Sequence, residues 1–268
     1  MSLNFYIESL IFFCSLLFIL TNFLNIEDNN KINKFIYLSN ILFISFVYLI
    51  YYNLIYLSSG SVLTTVTTLL LIIFFFTHFV ISLISIEYVR LRLLFIPFFL
   101  ILILFRHLTL LGSNESNNTI DLFKNDYLLV HIFSSLFSYS MLTISAASAI
   151  CVIIKSKYLK KITYDNAILN LLPSIYESQT ISIRFLYLTM FFLTLSLISG
   201  YIYHSLEFKN LDFFFNNKVI LSLISLILIF FFFVVRYFKG LTALSSLKII
   251  LLSYLFINFA YFGIKIFE

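Results

Sequence analysis

The chain contains no tryptophan, two prolines, five glycines and two cysteines among 268 residues, and only 11% of it is charged. Each shortage excludes something. Soluble domains carry roughly a quarter charged residues, so a surface this poor in charge does not keep a cytosolic enzyme in solution. Cys14 and Cys151 stand far apart inside apolar runs, with no C-x-x-C, no C-x-x-C-H and no zinc-like Cys/His spacing. A disulfide scaffold, a thioredoxin-like redox centre and covalent haem attachment are therefore unsupported. Scarce proline and glycine leave little to interrupt a helix. The absent tryptophan stands beside 35 phenylalanines and 18 tyrosines, so aromatics still make up 20%.

What is present is apolar: 62% of residues, with a mean hydropathy of +1.05. A bilayer core takes about 20 apolar residues per helix. The runs between polar breaks are Leu3–Ile26, Phe35–Leu57, Val62–Ile86, Leu93–Leu111, Tyr127–Ile154, Arg184–Leu206, Val219–Phe238 and Leu247–Phe267. They are continuous rather than alternating, which is the pattern of helices and not of a membrane barrel. The expected fold is all-α and polytopic, with eight transmembrane helices: four in residues 1–126 and four in 127–268. The first run lacks a basic n-region and a small-residue cleavage site, so it reads as a retained helix.

Charge sets the orientation. Of the 17 Lys and Arg, Arg106, Lys124, Lys209, Lys218 and Lys265 fall on the even-numbered connections and the tail; the rest fall on the odd-numbered ones. Positive residues stay on the cytoplasmic side, which puts both termini outside. The net charge of +5 is then topological and calls for no nucleic acid. The outer connection 112–126 (GSNESNNTIDLFKND) has no haem or metal motif, and its Asn-x-Ser/Thr triplets are common by chance in so Asn-rich a chain. Residues 155–183 hold a basic cluster and then a mixed segment, readable as an amphipathic helix on the inner face or as a solvated connector.

Ionisable groups at membrane depth cost about 2.5–3.5 kcal/mol each on insertion scales, so their positions carry information. His107 ends the fourth run, His131 opens the fifth and His204 closes the sixth, all at the outer level, while His78 lies alone in the inner half of the third. Ser134, Ser135, Ser138, Ser145 and Ala149 form a small, polar stripe below His131; Thr189, Ser196, Gly200 and His204 form another. Two such stripes pack closely, and an outward cleft beneath the histidines would suit a flat porphyrin, since neutral imidazole is an ordinary axial ligand for haem iron. Arg106, beside His107, would pair with a propionate. A histidine at a helix end is equally an interfacial residue, small stripes are ordinary packing, and an arginine there snorkels to headgroups.

At these residues the chain resembles a known family. His131-Ile-Phe-Ser-Ser-Leu-Phe-Ser-Tyr139, followed by a Ser/Ala-rich helix, is similar to the cytochrome c assembly proteins (the CcsA/CcmC group), and specifically to their HemX/YpjD-like inner-membrane branch. Leu171-Leu-Pro-Ser-Ile175, Leu193-Thr-Leu-Ser-Leu-Ile-Ser-Gly200, Lys218-Val-Ile-Leu-Ser222 and Ala260-Tyr-Phe-Gly263 resemble further segments of that branch, in order and with its spacing. The likeness runs from about residue 127 to the C-terminus; residues 1–126 agree only in topology.

The resemblance implies haem handling at the outer face of a bacterial inner membrane during cytochrome maturation, alongside other membrane proteins of that process. A His in the place of His131 is one of two external ligands in the larger relatives, so His131 becomes the ligand to a b-type haem. Two departures qualify this. Relatives that deliver haem carry a Trp-rich outer loop, whereas residues 207–218 (EFKNLDFFFNNK) have no Trp. Their second external His would fall near Ala260 and a membrane-embedded one near Val234, and neither is kept. The second ligand is then His204 or His107. Nothing resembles a nucleophile–base pair, a phosphate loop or a catalytic metal cluster, so no enzyme is expected. A cofactor-free scaffold or regulator with interfacial histidines is the competing reading. A solute transporter ranks last, because only Glu8 and His78 come near mid-membrane and no inverted pair of broken helices is visible.

Overall fold

A long apolar run in lipid must satisfy its backbone within itself, and this chain does so with helices alone. The computed structural model describes residues 3–24, 30–57, 62–84, 86–111, 125–159, 172–208 and 211–263, and among them there is no strand. The helices are α1 Leu3–Leu24, α2 Asn30–Leu57, α3 Val62–Ile84, the short α4 Ile86–Arg90, α5 Arg92–Leu111, α6 Asp126–Leu159, α7 Ile175–Phe208, α8 Asn217–Lys239 and α9 Ala243–Asn258. A 3-10 turn, Leu211–Phe215, follows α7, and a π turn, Phe259–Gly263, follows α9. Among the described residues six stretches are long and apolar enough to cross a membrane: Lys34–Tyr52, Thr65–Ile84, Asp126–Leu159, Ile175–Glu207, Asn217–Lys239 and Ala243–Tyr261. The apolar stretches Ser9–Leu20 of α1 and Arg92–Leu104 of α5 are shorter. This is a multi-pass, all-helical membrane protein.

Two compact units divide the chain: Met1–Ile120 with Asp165–Pro173, and Asp121–Tyr164 with Ser174–Glu268. The first is packed through aromatic rings. On α2 the buried residues are Tyr37, Ile41, Ile44, Tyr48 and Tyr51, a stripe of alternating four- and three-residue steps. Phe18 of α1 meets Phe75 and Phe99 edge-on at 5.4 and 5.5 Å, and Phe75 stacks on Phe99 at 4.9 Å. Lipid tails are as apolar as these side chains, so close packing of this kind, more than the hydrophobic effect, holds such helices together.

The second unit is built on α6 and α7, each of 34 residues. Their antiparallel register is fixed by polar clamps between small side chains. Ser145 Oγ donates to the Ser182 carbonyl at 2.9 Å, and Ser182 Oγ donates back to the Ser145 carbonyl at 3.0 Å. Nearer the end of α6, Ser178 Oγ donates to Cys151 Sγ at 3.3 Å. On α9, Tyr254 and Asn258 receive Tyr139 of α6: its hydroxyl donates to Asn258 Oδ1 at 2.8 Å and lies 3.0 Å from the Tyr254 hydroxyl. Ser225 Oγ of α8 donates to the Ser253 carbonyl of α9 at 3.2 Å.

Both long helices overrun the apolar stretches expected for them. α6 continues to Leu159 instead of stopping at Ile154, and α7 begins at Ile175 instead of Arg184. Hydropathy ends where charge begins, but a helix ends only where its backbone is capped. At Ser174 a reciprocal capping box starts α7: the Glu177 N–H donates to Ser174 Oγ, and the Ser174 N–H donates to Glu177 Oε2 at 2.7 Å. A helix of that length spans about 51 Å against a hydrocarbon core of about 30 Å, so its ends reach the headgroup level. Residues 155–159 and 175–183 are thus helix ends and not a separate amphipathic segment; residues 160–171, like residues 112–124, lie outside the described residues. The last helix likewise starts early, at Ala243, because Thr242 caps it by accepting from the Ser245 N–H.

Candidate functional site

His131 stands one turn inside the start of α6 and turns its ring onto α7. Its Nδ1 lies 2.7 Å from the Ser196 carbonyl oxygen and 3.2 Å from Ser196 Oγ. A carbonyl only accepts, so Nδ1 carries the proton and Nε2 keeps the lone pair. Among the described residues nothing is bonded to Nε2. The ring lies directly over Gly200: a Cβ there would come 2.7 Å from Nδ1 and 2.9 Å from Cε1. Glycine is required at this point by the close approach, and the small stripe expected on α7 has this specific use. Thr189 and Ser196 of the same stripe are buried, as are Ser134, Ser138, Ser145 and Ala149 on α6.

His204 lies one turn beyond Gly200 on α7, about 6 Å further along the axis. It is half-buried, and its ring is 5.5 Å from Phe213 in the 3-10 turn. Tyr201 packs on the same turn, 5.9 Å from Phe213 and 5.5 Å from Phe214. Phe213 is buried, whereas Phe215 is 80% exposed. The connection that has no tryptophan is therefore anchored on α7 by phenylalanine. His131, Ser196 and Gly200 meet at one point, and His204 with Phe213 lies one helical turn further along α7.

The other two expected site residues belong to the first unit. Arg106 is fully buried, with its guanidinium carbon 4.3 Å above the Tyr51 ring and 5.6 Å from that of Tyr48. The guanidinium packs inside the unit and not on its surface; cation–π contacts of this desolvated kind contribute about 2 kcal/mol. His107 is in α5, but its side chain lies outside the described residues. His78 is 2% exposed in an aromatic box, with ring centroids 4.2 Å from Phe95, 4.7 Å from Phe74 and 5.5 Å from Phe99. Its Nε2 has no hydrogen-bond partner among the described residues. Edge-on approach to two phenyl rings accommodates a neutral imidazole there.

Where the resemblance would put a second external histidine, Ala260 offers only a methyl group, buried within the π turn. Val234 is half-buried and equally without a donor atom. Among the described residues no three of His, Cys, Asp and Glu gather into a metal-binding group. Two features of the second unit were invisible in the residue pattern: the Ser196 carbonyl, because backbone acceptors have no letter, and the Tyr139–Tyr254–Asn258 cluster. The four-residue spacing of Tyr254 and Asn258 was the one available sign of the latter, since it puts both on a single helix face.

No family model, no curated protein and no solved structure matches the chain.

Proposed function

We propose that the chain is a haem-handling protein of a bacterial inner membrane, serving cytochrome c assembly, with eight spans and both termini outside. One observation carries the reading: the Nδ1–H of His131 is donated to the Ser196 carbonyl at 2.7 Å. Ligating histidines almost always donate their second ring nitrogen to a carbonyl or carboxylate, which fixes the ring and raises the basicity of the other nitrogen. His131 has that arrangement, with Nε2 as its donor atom.

A bound haem would supply an iron that takes neutral imidazole nitrogen as a ligand. His131 Nε2 would be one ligand, and His204 or His107 the second. Ser196 and Gly200 hold the His131 ring; Phe213 and Tyr201 give His204 an aromatic wall. In this reading the site holds and presents the group, and partner membrane proteins receive it. The positive-inside distribution of Lys and Arg supports this orientation, with the site at the outer face.

The competing reading is a cofactor-free scaffold. It is favoured by the tightness of the His131–Gly200 contact, because a ring wedged on a glycine is also a helix-pairing clamp. Titrating ferric haem into the detergent-solubilised protein separates the two. A Soret shift is expected for the wild type, lost in His131→Ala and in whichever of His204→Ala and His107→Ala removes the second ligand. Loss of function on replacing all three histidines is expected as well. Full function without them would establish the scaffold.

A further inference from the structure

At the opposite end of the second unit, residues of α6, α7, α8 and α9 line a small cleft that opens to its surroundings. Ala149 and Phe232 form part of its apolar floor, and Gln179, Arg236, Ala243 and Ser246 supply its polar side. We propose that this cleft binds a phosphate group, and that the group is the headgroup phosphate of an anionic phospholipid.

Four features converge on that chemistry. Arg236 is half-buried in the lining; among the described residues it has no acidic partner, and the lining contains no carboxylate. A guanidinium offers a planar fork of donors that matches phosphate oxygens, and leaving it half-buried without an anion is costly. Ser246 Oγ is buried and has no hydrogen-bond partner among the described residues, although its hydroxyl can donate. Ala243 is the first residue of α9, whose cap Thr242 already accepts from the Ser245 N–H, so the Ala243 N–H precedes any intrahelical acceptor. The dipole of this 16-residue helix also favours negative charge at that end. Gln179 completes the set with a side-chain amide.

The location selects lipid over other anions. Lys155 and Lys157 near the end of α6 add positive charge at the same level. Basic pockets between transmembrane helices on the cytoplasmic side are where anionic headgroups bind. This inference concerns a different end of the unit from the histidines and does not depend on haem.

The test is native mass spectrometry of the full chain released from micelles containing equal phosphatidylglycerol and phosphatidylcholine. The wild type is expected to retain phosphatidylglycerol, and Arg236→Gln to lose that preference by roughly tenfold, the scale of one charge-assisted hydrogen bond. Lys239→Gln, an exposed cation one turn away, should change it less than about twofold, as expected of a screened surface charge. Should Arg236→Gln fail to run as a single species, Ser246→Leu fills the cleft from the opposite side and is expected to give the same loss. Millimolar inorganic phosphate separates the sources: failure to displace the lipid identifies the headgroup as the ligand, whereas displacement with a rise in wild-type melting temperature, absent in Arg236→Gln, assigns the site to free phosphate and overturns the lipid source. Unchanged preference in Arg236→Gln, or equal loss in Lys239→Gln, would overturn the site itself.

Discussion

At the scale of single residues, the site turns on three atoms: Nδ1 of His131, the carbonyl oxygen of Ser196 and the missing Cβ of Gly200. The ring cannot keep both its 2.7 Å bond and a methyl group 2.7 Å from the same nitrogen. Gly200→Ala is therefore expected to drive the imidazole off the Ser196 carbonyl, costing about 1–3 kcal/mol as overpacking does. Haem affinity, read by Soret titration, should fall with it, while Gly240→Ala, which strains the +67° φ of the α8 C-cap, should lower stability and leave haem binding unchanged. His131 was legible in the sequence as an ionisable group at membrane depth with small residues beneath it. Its orientation was not, because the acceptor is a backbone atom on a helix 65 positions away. Arg106 shows the same blindness: its neighbours along the chain suggested headgroups or a propionate, whereas its actual neighbours are the tyrosines at 48 and 51 on α2.

At the scale of elements, hydropathy located the helices and misjudged their ends. Lys155, Lys157 and Arg184 bound the expected apolar runs without bounding the helices, because a charged side chain leaves the backbone ladder intact. The start of α7 was nevertheless written in Ser174-Ile-Tyr-Glu177, a capping box immediately after Pro173. Ser174→Ala is expected to cost about 1 kcal/mol, the usual value of an N-cap, seen as an earlier unfolding midpoint in detergent and as faster amide exchange over residues 175–180. Between α6 and α7 the reciprocal serine pair sets the register. Ser145→Ala removes both a donor and little volume, so a loss near 0.6 kcal/mol is expected, the average for an interhelical hydrogen bond in a membrane. Ser145→Leu should cost about 1–3 kcal/mol by forcing the backbones apart. A thermal melt in which alanine hurts more than leucine would contradict this account of the pair.

For the whole molecule, the few charges decide the orientation, and accessibility measures it. In a background with Cys14→Ser and Cys151→Ser, Phe215→Cys, 80% exposed in the 3-10 turn, should react with an impermeant maleimide added from outside. Leu244→Cys, 57% exposed at the start of α9, should react only after the membrane is opened. The reverse labelling would invert the topology and move the histidine site to the cytoplasmic face. The missing tryptophan, first a feature of composition, corresponds to a connection anchored by Phe213 and Phe214 instead. The proposal that the molecule handles haem is tested most directly by the reduced-minus-oxidised spectrum of the protein isolated in mild detergent from haem-replete cells. The account predicts a Soret band that disappears in His131→Ala and survives in His78→Ala; a flat baseline in the wild type would contradict it.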